Sequence, residues 1–313
     1  MVGSSAVYAT QLTAQMAANR SALPYYAAFG THRERLSSRI LAAERSLTQN
    51  ADQLSALKSE RATAKEPRRT LCVLGAGNGY DLDFPLLHTR FAEMHLVDLD
   101  ADALRRCHDR QEPRIQAALG LHAGLDLSGM LDRLERWRRM QVTPQELMNH
   151  AEGTARALRV ALGRSFDVVV SACMLSQMQL TLLEALGAEH RLFEAARMTL
   201  TLTHLRALGA LLAPGGVAVF ATDVSAEGIL PSGALAPFET ASELDRGELV
   251  RDLARRGHVF HFADPERVLE LIREDPVLHR NFSSSDVTDA WVWQNGSAGK
   301  FLVYSLELRN RVL

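Results

Sequence analysis

The chain has 313 residues, of which 47% are hydrophobic and 23% are charged, and its net charge is −2. This length allows one large domain with additions or two small domains, and the composition is that of an ordinary globular protein. The balance of charges argues against a general nucleic-acid binder, and three cysteines far apart in sequence exclude a disulfide framework and a zinc site built on paired cysteines.

The N-terminal residues predict helices. Apolar residues recur at three- and four-residue spacing over 11–20 and 33–57, as they do along one face of an amphipathic helix. The tract 59–69 is polar and charged, and we interpret it as a linker. We therefore predict an N-terminal helical extension, 1–68, that caps a second unit, 69–313.

After the linker, short apolar runs alternate with helical segments. Five runs are predicted as buried strands: TLCVLGAG, EMHLVDLD, LGLHAGLDLSG, SFDVVVSA and VAVFAT. Asp100 is placed to cap the helix after the second run, and Thr143-Pro144 with Glu146 predicts a capped helix that ends near residue 162. A long helix is predicted over 191–212. Strands that alternate with helices indicate a doubly wound parallel sheet.

The last part of the chain predicts a β-hairpin. An Asn-Gly pair lies between two alternating runs, DAWVWQ and KFLVYSLEL, which would add antiparallel strands to the sheet. Trp291 and Trp293 share one face of the first run, and we expect them to pack in the core or against the N-terminal helices. The predicted fold is α/β with a mostly parallel seven-stranded sheet, and helical insertions are predicted at about 127–163 and 224–285.

The first predicted strand runs into three glycines, whose spacing discriminates between ligands. A phosphate-binding P-loop needs Gly-Lys-Ser/Thr, whereas Gly79 is followed by Tyr80 and Asp81. In the dinucleotide fingerprint G-x-G-x-x-G, counted from Gly75 and Gly77, the third glycine would fall on Tyr80, where a small residue is needed for close helix packing. The carboxylate of Asp81 would also repel a diphosphate. A ligand without phosphate is therefore favoured.

An acidic pair ends the second predicted strand. Asp98 follows the glycines by about 20 residues. In dinucleotide-binding folds, an acidic residue at this sequence separation binds the ribose hydroxyls. Asp100 is then left as the helix cap. The alternative is that both carboxylates only cap the helix.

These residues resemble the class I S-adenosylmethionine-dependent methyltransferases, over about 70–223 and the terminal hairpin. VLGAGNG is similar to the first motif of that family, LVDLD to the second, GLDLSG to the third, FDVVVSACML to the fourth and LLAPGGVAVF to the turn before the fifth strand. The hairpin is similar to the sixth and seventh strands. One departure is that many members carry an acidic residue shortly before the first glycine, where this chain has Cys72-Val73-Leu74.

The resemblance implies S-adenosylmethionine as the methyl donor and S-adenosylhomocysteine as its product. It implies that the cofactor contacts the glycine loop, the ends of the second and third strands and the backbone after the fourth. The resemblance implies that Gly75 to Gly79 approach the methionine and ribose parts, that Asp98 holds the ribose hydroxyls and Asp126 the adenine, and that the backbone near Ser171 and Ala172 flanks the sulfonium. The implied contact residues are Gly75, Ala76, Gly77, Asn78, Gly79, Asp98, Leu99, Asp126, Leu127, Ser171 and Ala172.

The methyl acceptor is left open by the sequence. Methyl transfer is an in-line displacement, for which an enzyme supplies alignment, exclusion of water and, for a protonated nucleophile, a base. The segment 171–177 lacks the Asn/Asp-Pro-Pro-Tyr/Phe motif of relatives that methylate DNA bases or glutamine amides, which leaves small molecules or peptides. His32 and Tyr26 are the candidate catalytic residues, with packing of Tyr26 against helices as the alternative, and no metal site is predicted.

These patterns are compatible with four functions. They are methyl transfer to a small molecule, methyl transfer to a peptide or protein side chain, a non-catalytic adenosyl-ligand-binding or partner subunit, and a dinucleotide oxidoreductase. The missing upstream acid keeps the third open, whereas Tyr80 and the hairpin disfavour the fourth. Because added segments build the substrate site on such scaffolds, the large insertions predict an enclosed pocket and a substrate of modest size.

The same sequence features give expectations about location and partners. No apolar run has the length of a membrane span, and the N-terminal residues lack the pattern of a secretory signal. We expect a cytoplasmic protein that binds neither nucleic acid nor membranes, with a homodimer left open. Arg20 is the only basic residue before His32, so a transit peptide has weak support.

Overall fold

The computed structural model describes residues 6–57, 69–140 and 142–311. Its centre is one sheet of seven strands in the order β3-β2-β1-β4-β5-β7-β6. The strands are β1 Arg69–Leu74, β2 Phe91–Asp98, β3 Leu119–Ala123, β4 Phe166–Ala172, β5 Leu212–Ala226, β6 Phe282–Gln294 and β7 Lys300–Asn310. The first five strands pair in parallel, and β7 runs antiparallel to both β5 and β6. The predicted fold class is confirmed.

Helices cover both faces of the sheet. In the described ranges they are α1 Ala6–Ser21, α2 Gly30–Leu57, α3 Phe84–His88, α4 Ala101–Asp109, α5 Pro113–Gln116, α6 Leu131–Arg139, α7 Pro144–Leu162, α8 Met174–Leu186, α9 Phe193–Leu211, α10 Pro237–Thr240, α11 Glu243–Arg255, α12 Pro265–Glu274 and α13 Pro276–Asn281. None of the helices in those ranges combines the length and apolar character needed to cross a bilayer.

The two N-terminal helices contact the sheet in different ways. α2 buries Leu36, Ile40 and Ala43 completely, in the same apolar cluster as Leu71 and Val73 of β1. α1 has no buried residue; it contacts α4 and α6, and its half-buried Val7 and Tyr8 pack against the core. The predicted linker lies outside the described residues except for Arg69, which begins β1. The division into an extension, 1–68, and a sheet domain, 69–313, stays a prediction.

Predicted helix boundaries are confirmed where a capping side chain marks them. The Asp100 carboxylate accepts hydrogen bonds from the backbone N–H groups of Asp102 and Ala103 at the start of α4. Thr143 and Glu146 form a reciprocal capping box at the start of α7. The sequence analysis missed α8, whose N-cap residue Cys173 makes no side-chain cap. It also expected one or two helices in 224–285, where four lie.

The C-terminal hairpin is confirmed, with a five-residue connection in place of a tight two-residue turn. A short 3₁₀ turn, Gly296–Ala298, fills that connection. Trp291 and Trp293 on β6 are both buried and pack against His32 of α2, as expected from their shared face. The hairpin therefore joins the N-terminal helices to the far end of the sheet.

Candidate functional site

The site lies where the strand order reverses, between β1 and β4. In open parallel sheets this reversal opens a crevice outside the carboxyl ends of the strands, and ligands bind there. The glycine loop follows β1, and Cys173 follows Ala172, the last residue of β4. Both segments therefore reach the same edge of the sheet.

Three positive backbone angles turn the chain after β1. Gly75, Gly77 and Gly79 have φ values of +78°, +49° and +65°, which side-chain-bearing residues rarely adopt. A Cβ on Gly79 would lie 2.4 Å from the Cys107 Sγ atom of α4. The close helix contact that the sequence argument assigned to position 80 is thus made at Gly79. A Cβ on Gly77 would meet only Asn19 Oδ1, at 3.2 Å, so this glycine borders open space beneath α1.

Asp98 braces the glycine loop. Its Oδ2 atom accepts a hydrogen bond from the Gly77 N–H at 2.8 Å, and its Oδ1 atom accepts one from the Asp100 N–H at 2.9 Å. Burial raises the pKa of this carboxyl group, and the backbone donors oppose that rise. The Leu99 N–H also bonds this carboxylate, so about one of its roughly four lone-pair sites is left for a ligand hydroxyl. Asp100 caps α4, whereas Asp98 accepts from the N–H groups of Gly77 and Asp100; a ribose contact of Asp98 stays a prediction.

A first small cavity lies beside the ends of β2 and β3. Its volume is about 60 Å³, and it is lined by Asp98, Leu99, Asp126 and Leu127, four residues that the resemblance implied. Asp126 is held in place because its carboxylate accepts hydrogen bonds from the Ser128 hydroxyl and the Leu131 N–H. Burial raises the pKa of Asp126, and these donors oppose the rise.

A second small cavity, the glycine-loop cavity, also has a volume of about 60 Å³. Five of the implied residues line it, namely Gly75, Ala76, Gly77, Asn78 and Ala172. Ser171 lies elsewhere: it is fully buried and its hydroxyl is 2.7 Å from His204 Nε2. The Met174 side chain lines the first cavity and packs on Gly75, which lines the second. A Cβ on Gly75 would be 2.1 Å from the Met174 Cγ atom.

Helix α1 covers both cavities through polar contacts. Asn19 donates from its side chain to the Asp100 carboxylate at 3.0 Å, and its carbonyl accepts from Asn78 at 2.7 Å. The Tyr8 hydroxyl donates to the Gly124 carbonyl at 3.2 Å. A cavity of about 60 Å³ holds only a few water molecules. A ligand of nucleoside size therefore requires α1 and the Met174 side chain to shift.

Of the two candidate catalytic residues, one is buried and the other is exposed. His32 is fully buried, stacks on Trp293 and accepts a hydrogen bond at Nδ1 from Trp291 Nε1, at 2.9 Å. Burial lowers its pKa to about 3. Tyr26 is 45% exposed and packs edge-on against Tyr80. Neither arrangement presents a free base to a ligand, and a catalytic role for either residue stays a prediction.

A larger cavity, the aromatic cavity, opens beside the glycine-loop cavity. Its volume is about 550 Å³, and five aromatic side chains line it: Phe193, Phe260, Phe262, Trp293 and Phe301. These rings come from α9, the segment before α12 and the hairpin. The sequence analysis named only Trp293 among them, and as a packing residue, because no local pattern shows that such distant segments meet. The spacing of the two phenylalanines in HVFHF was the available signal.

Asp223, near the end of β5, is the acidic residue of the aromatic cavity. It is 5% exposed, and its carboxylate accepts a hydrogen bond from the Ser176 hydroxyl. Burial raises its pKa to about 6, against the opposing effect of Ser176. Sequence reasoning missed this residue, although an acidic side chain directly after the run VAVFAT was a visible signal.

The glycine-loop cavity and the aromatic cavity adjoin. Cys173, Gln177 and Trp293 line both of them. Cys173 has φ of +50°, a strained conformation for a residue other than glycine, and it turns the chain from β4 into α8. Strained backbone of this kind clusters at ligand sites.

Comparisons with known proteins bear on the fold. No family model and no curated protein matches the chain in sequence. Similar solved structures include an amino pentose methyltransferase of calicheamicin biosynthesis from Micromonospora echinaspora, at 19% identity over 57% of this chain and 50% of that one, with TM-score 0.27. This chain therefore spans half the length of that protein.

Two further solved structures are methyltransferases. The glycopeptide N-methyltransferase MtfA, complexed with S-adenosylmethionine, is 15% identical over 85% of this chain and 93% of that one, with TM-score 0.37. A 16S rRNA adenine methyltransferase from Catenulisporales acidiphilia is 13% identical over 78% and 88%, with TM-score 0.35.

The chain has the class I methyltransferase fold. That statement rests on the strand order and pairing of the sheet. The resemblance found in the motifs is confirmed at this level. The neighbours' acceptors, a sugar, a glycopeptide and an RNA, differ too much to indicate one for this chain.

Proposed function

We propose that this protein transfers a methyl group from S-adenosylmethionine to a small-molecule or peptide acceptor bound in the aromatic cavity. One observation carries the proposal: Cys173, Gln177 and Trp293 line both the glycine-loop cavity and the aromatic cavity. A donor held in the first and an acceptor held in the second would meet at these three side chains. The cofactor, when bound, supplies an electrophilic methyl group on a sulfonium.

The residues around the two small cavities fit the parts of that cofactor. Asp98 has acceptor capacity for the ribose hydroxyls, and Asp126 with Leu127 lines the cavity proposed for the adenine. The glycine loop leaves space at Gly77 that a side chain would fill. Binding needs α1 to move, and α1 can do so without exposing a fully buried side chain, because none of its residues is buried.

The proposed acceptor follows from the volume and the lining of the aromatic cavity. A cavity of about 550 Å³ is within the range of ligand pockets, and its five rings favour an acceptor with an apolar, flat body. We propose that Asp223 accepts the proton from an O–H or N–H nucleophile of that acceptor. Ser176 orients the carboxylate, and the rings exclude water from it.

Thermal unfolding with added ligands tests the proposal. A ligand at 100 times its dissociation constant stabilises the folded state by about 2.7 kcal/mol, which raises the Tm by a few degrees for a chain of this size. We expect that shift with S-adenosylhomocysteine and no shift with NADH. Stabilisation by NADH alone would establish a dinucleotide site and overturn the proposal. If S-adenosylhomocysteine stabilises the protein, a screen with radiolabelled methyl donor identifies the acceptor.

A non-catalytic adenosyl-ligand-binding or partner subunit is the alternative function. It is favoured by the narrowness of the covered cavities and by the missing acid before Gly75. The two functions differ in one outcome. Binding of S-adenosylhomocysteine without labelled product from any acceptor in the screen would favour the alternative.

The proposed base predicts a pH dependence. Burial raises the pKa of Asp223 to about 6, and the carboxylate must be ionised to accept a proton. With saturating cofactor we expect kcat to be constant above about pH 7 and to fall about tenfold per unit below pH 6. Ser176→Ala removes a hydrogen bond that lowers this pKa, so the inflection should move to higher pH. An inflection that ignores Ser176→Ala would assign the pH dependence to another group.

A further inference from the structure

We propose that Asp81, oriented by His32 and Trp291, binds the α-ammonium group at the methionine end of the cofactor. The inference rests on the proposed function and names a residue for a part of that site. It gives this chain an anionic partner for the ammonium group, which the resemblance expects just before Gly75 and which is absent there.

Asp81 is the charged side chain of the glycine-loop cavity. The other lining residues in the described part of the chain are uncharged, and include Gln15, Asn19 and Gln177. The Asp81 side chain is 18% exposed, yet its Oδ1 atom is buried and makes no hydrogen bond in the described residues. The carboxylate therefore has one buried oxygen, on the side of His32, while the rest of the group faces the cavity.

His32 faces the buried oxygen of Asp81. Its Nε2 atom lies 3.5 Å from Asp81 Oδ1, and its Nδ1 atom accepts the hydrogen bond from Trp291 Nε1. A neutral imidazole that accepts at Nδ1 carries its proton on Nε2. Burial lowers the pKa of His32 to about 3, so the ring is neutral and directs an N–H group at the carboxylate. Stacking on Trp293, with ring centroids 4.5 Å apart, holds the ring in this orientation.

A cationic group of a ligand would stabilise the ionised form of this carboxylate. Burial raises the pKa of Asp81 to about 7, and the nearby Arg33 guanidinium opposes the rise. An ammonium group in the cavity would favour the ionised form and supply charge-assisted hydrogen bonds. Asp98 and Asp126 border the other small cavity, where the adenosine part is proposed, so Asp81 is the carboxylate left for the amino-acid part.

Two ligands that differ in the amino-acid part test the inference. S-adenosylhomocysteine carries the ammonium group, whereas 5′-methylthioadenosine has the same nucleoside without it. For Asp81→Asn, calorimetric titration at about pH 8 should show S-adenosylhomocysteine bound roughly 10- to 100-fold more weakly. The affinity for 5′-methylthioadenosine should stay within about threefold. Asp83→Asn is the matched control, because Asp83 only caps α3 and an asparagine can cap it too.

Each other outcome has a distinct meaning. Equal weakening of both ligands by Asp81→Asn would show a merely structural carboxylate, and unchanged affinities would exclude Asp81 from the site; either result overturns the inference. Wild-type protein that binds neither ligand would contradict the proposed function itself.

The positioning role of His32 has its own test. His32→Gln keeps an N–H donor and should retain most of the preference for S-adenosylhomocysteine over 5′-methylthioadenosine, whereas His32→Leu should lose it. Thermal unfolding of both variants separates this effect from loss of folding. A preference that survives His32→Leu would show that His32 does not orient Asp81.

Discussion

Asp289→Ala should lower the free energy of unfolding by about 3–5 kcal/mol, the largest stability loss expected from a single exchange in this protein. Asp289 on β6 and Arg246 on α11 form an ion pair in which both side chains are at least 96% buried, at 2.7 Å between Nη2 and Oδ1. Removing the carboxylate leaves the guanidinium buried, with the Ala241 carbonyl as its remaining partner among the described residues. Equilibrium unfolding in urea, followed by circular dichroism, measures the loss.

Two further variants show whether the loss of stability comes from leaving a buried charge unpaired. Glu135→Ala breaks the exposed pair with Arg139 and should change stability by less than about 1 kcal/mol. Replacing the buried pair with apolar residues, Arg246→Met with Asp289→Leu, should recover much of the lost stability, because no buried charge is then left unpaired. If Asp289→Ala were no more destabilising than Glu135→Ala, the pair would not hold α11 against the sheet.

Asp223→Asn should reduce kcat by about 10²–10⁴-fold, the range over which a positioned base accelerates proton transfer. The exchange removes the basic oxygen but keeps an acceptor for the Ser176 hydroxyl, so the cavity should keep its shape. The measurement is turnover of the acceptor identified by the labelled-donor screen. The affinity for S-adenosylhomocysteine should stay within about threefold, because Asp223 lines the aromatic cavity and the donor is proposed to lie in the adjoining ones.

Asp109→Asn is the matched control for that variant. Asp109 ends α4, its side chain is 77% exposed, and its contact with His108 lies on the surface. Its kcat should equal that of the wild-type protein. If Asp223→Asn also kept its kcat within about threefold, the nucleophile would need no base or the base would lie elsewhere, and His32 and Tyr26 would have to be examined again.

The proposals place different parts of one reaction on elements that are distant in sequence. The donor side uses the loops after β1, β2 and β3, whereas the acceptor side uses α8, α9 and the hairpin. The N-terminal residues contribute twice, because α1 covers the donor side and α2 supplies His32 behind Asp81. The Asp289 variant tests how α11 is held against the sheet. The Asp81 variants test a carboxylate that α2 orients through His32.

Local chemistry determined much of this protein from sequence alone. Alternating apolar runs and helical segments determined the α/β sheet, and Asp100, Thr143 and Glu146 determined helix starts, because capping is a contact between near neighbours. The glycine pattern located the turn after β1 for the same reason: a positive φ is a property of one residue.

Only the tertiary structure decided which distant side chains meet. Asp223, the five rings of the aromatic cavity and the contact of Trp291 with His32 join residues separated by up to 259 positions, and no periodicity encodes such pairings. It also reassigned residues that sequence had grouped: Ser171 points to His204, and His32 lies buried behind Asp81. The physical reason is that burial, and with it the pKa and the accessibility of a side chain, depends on how the layers pack over the sheet.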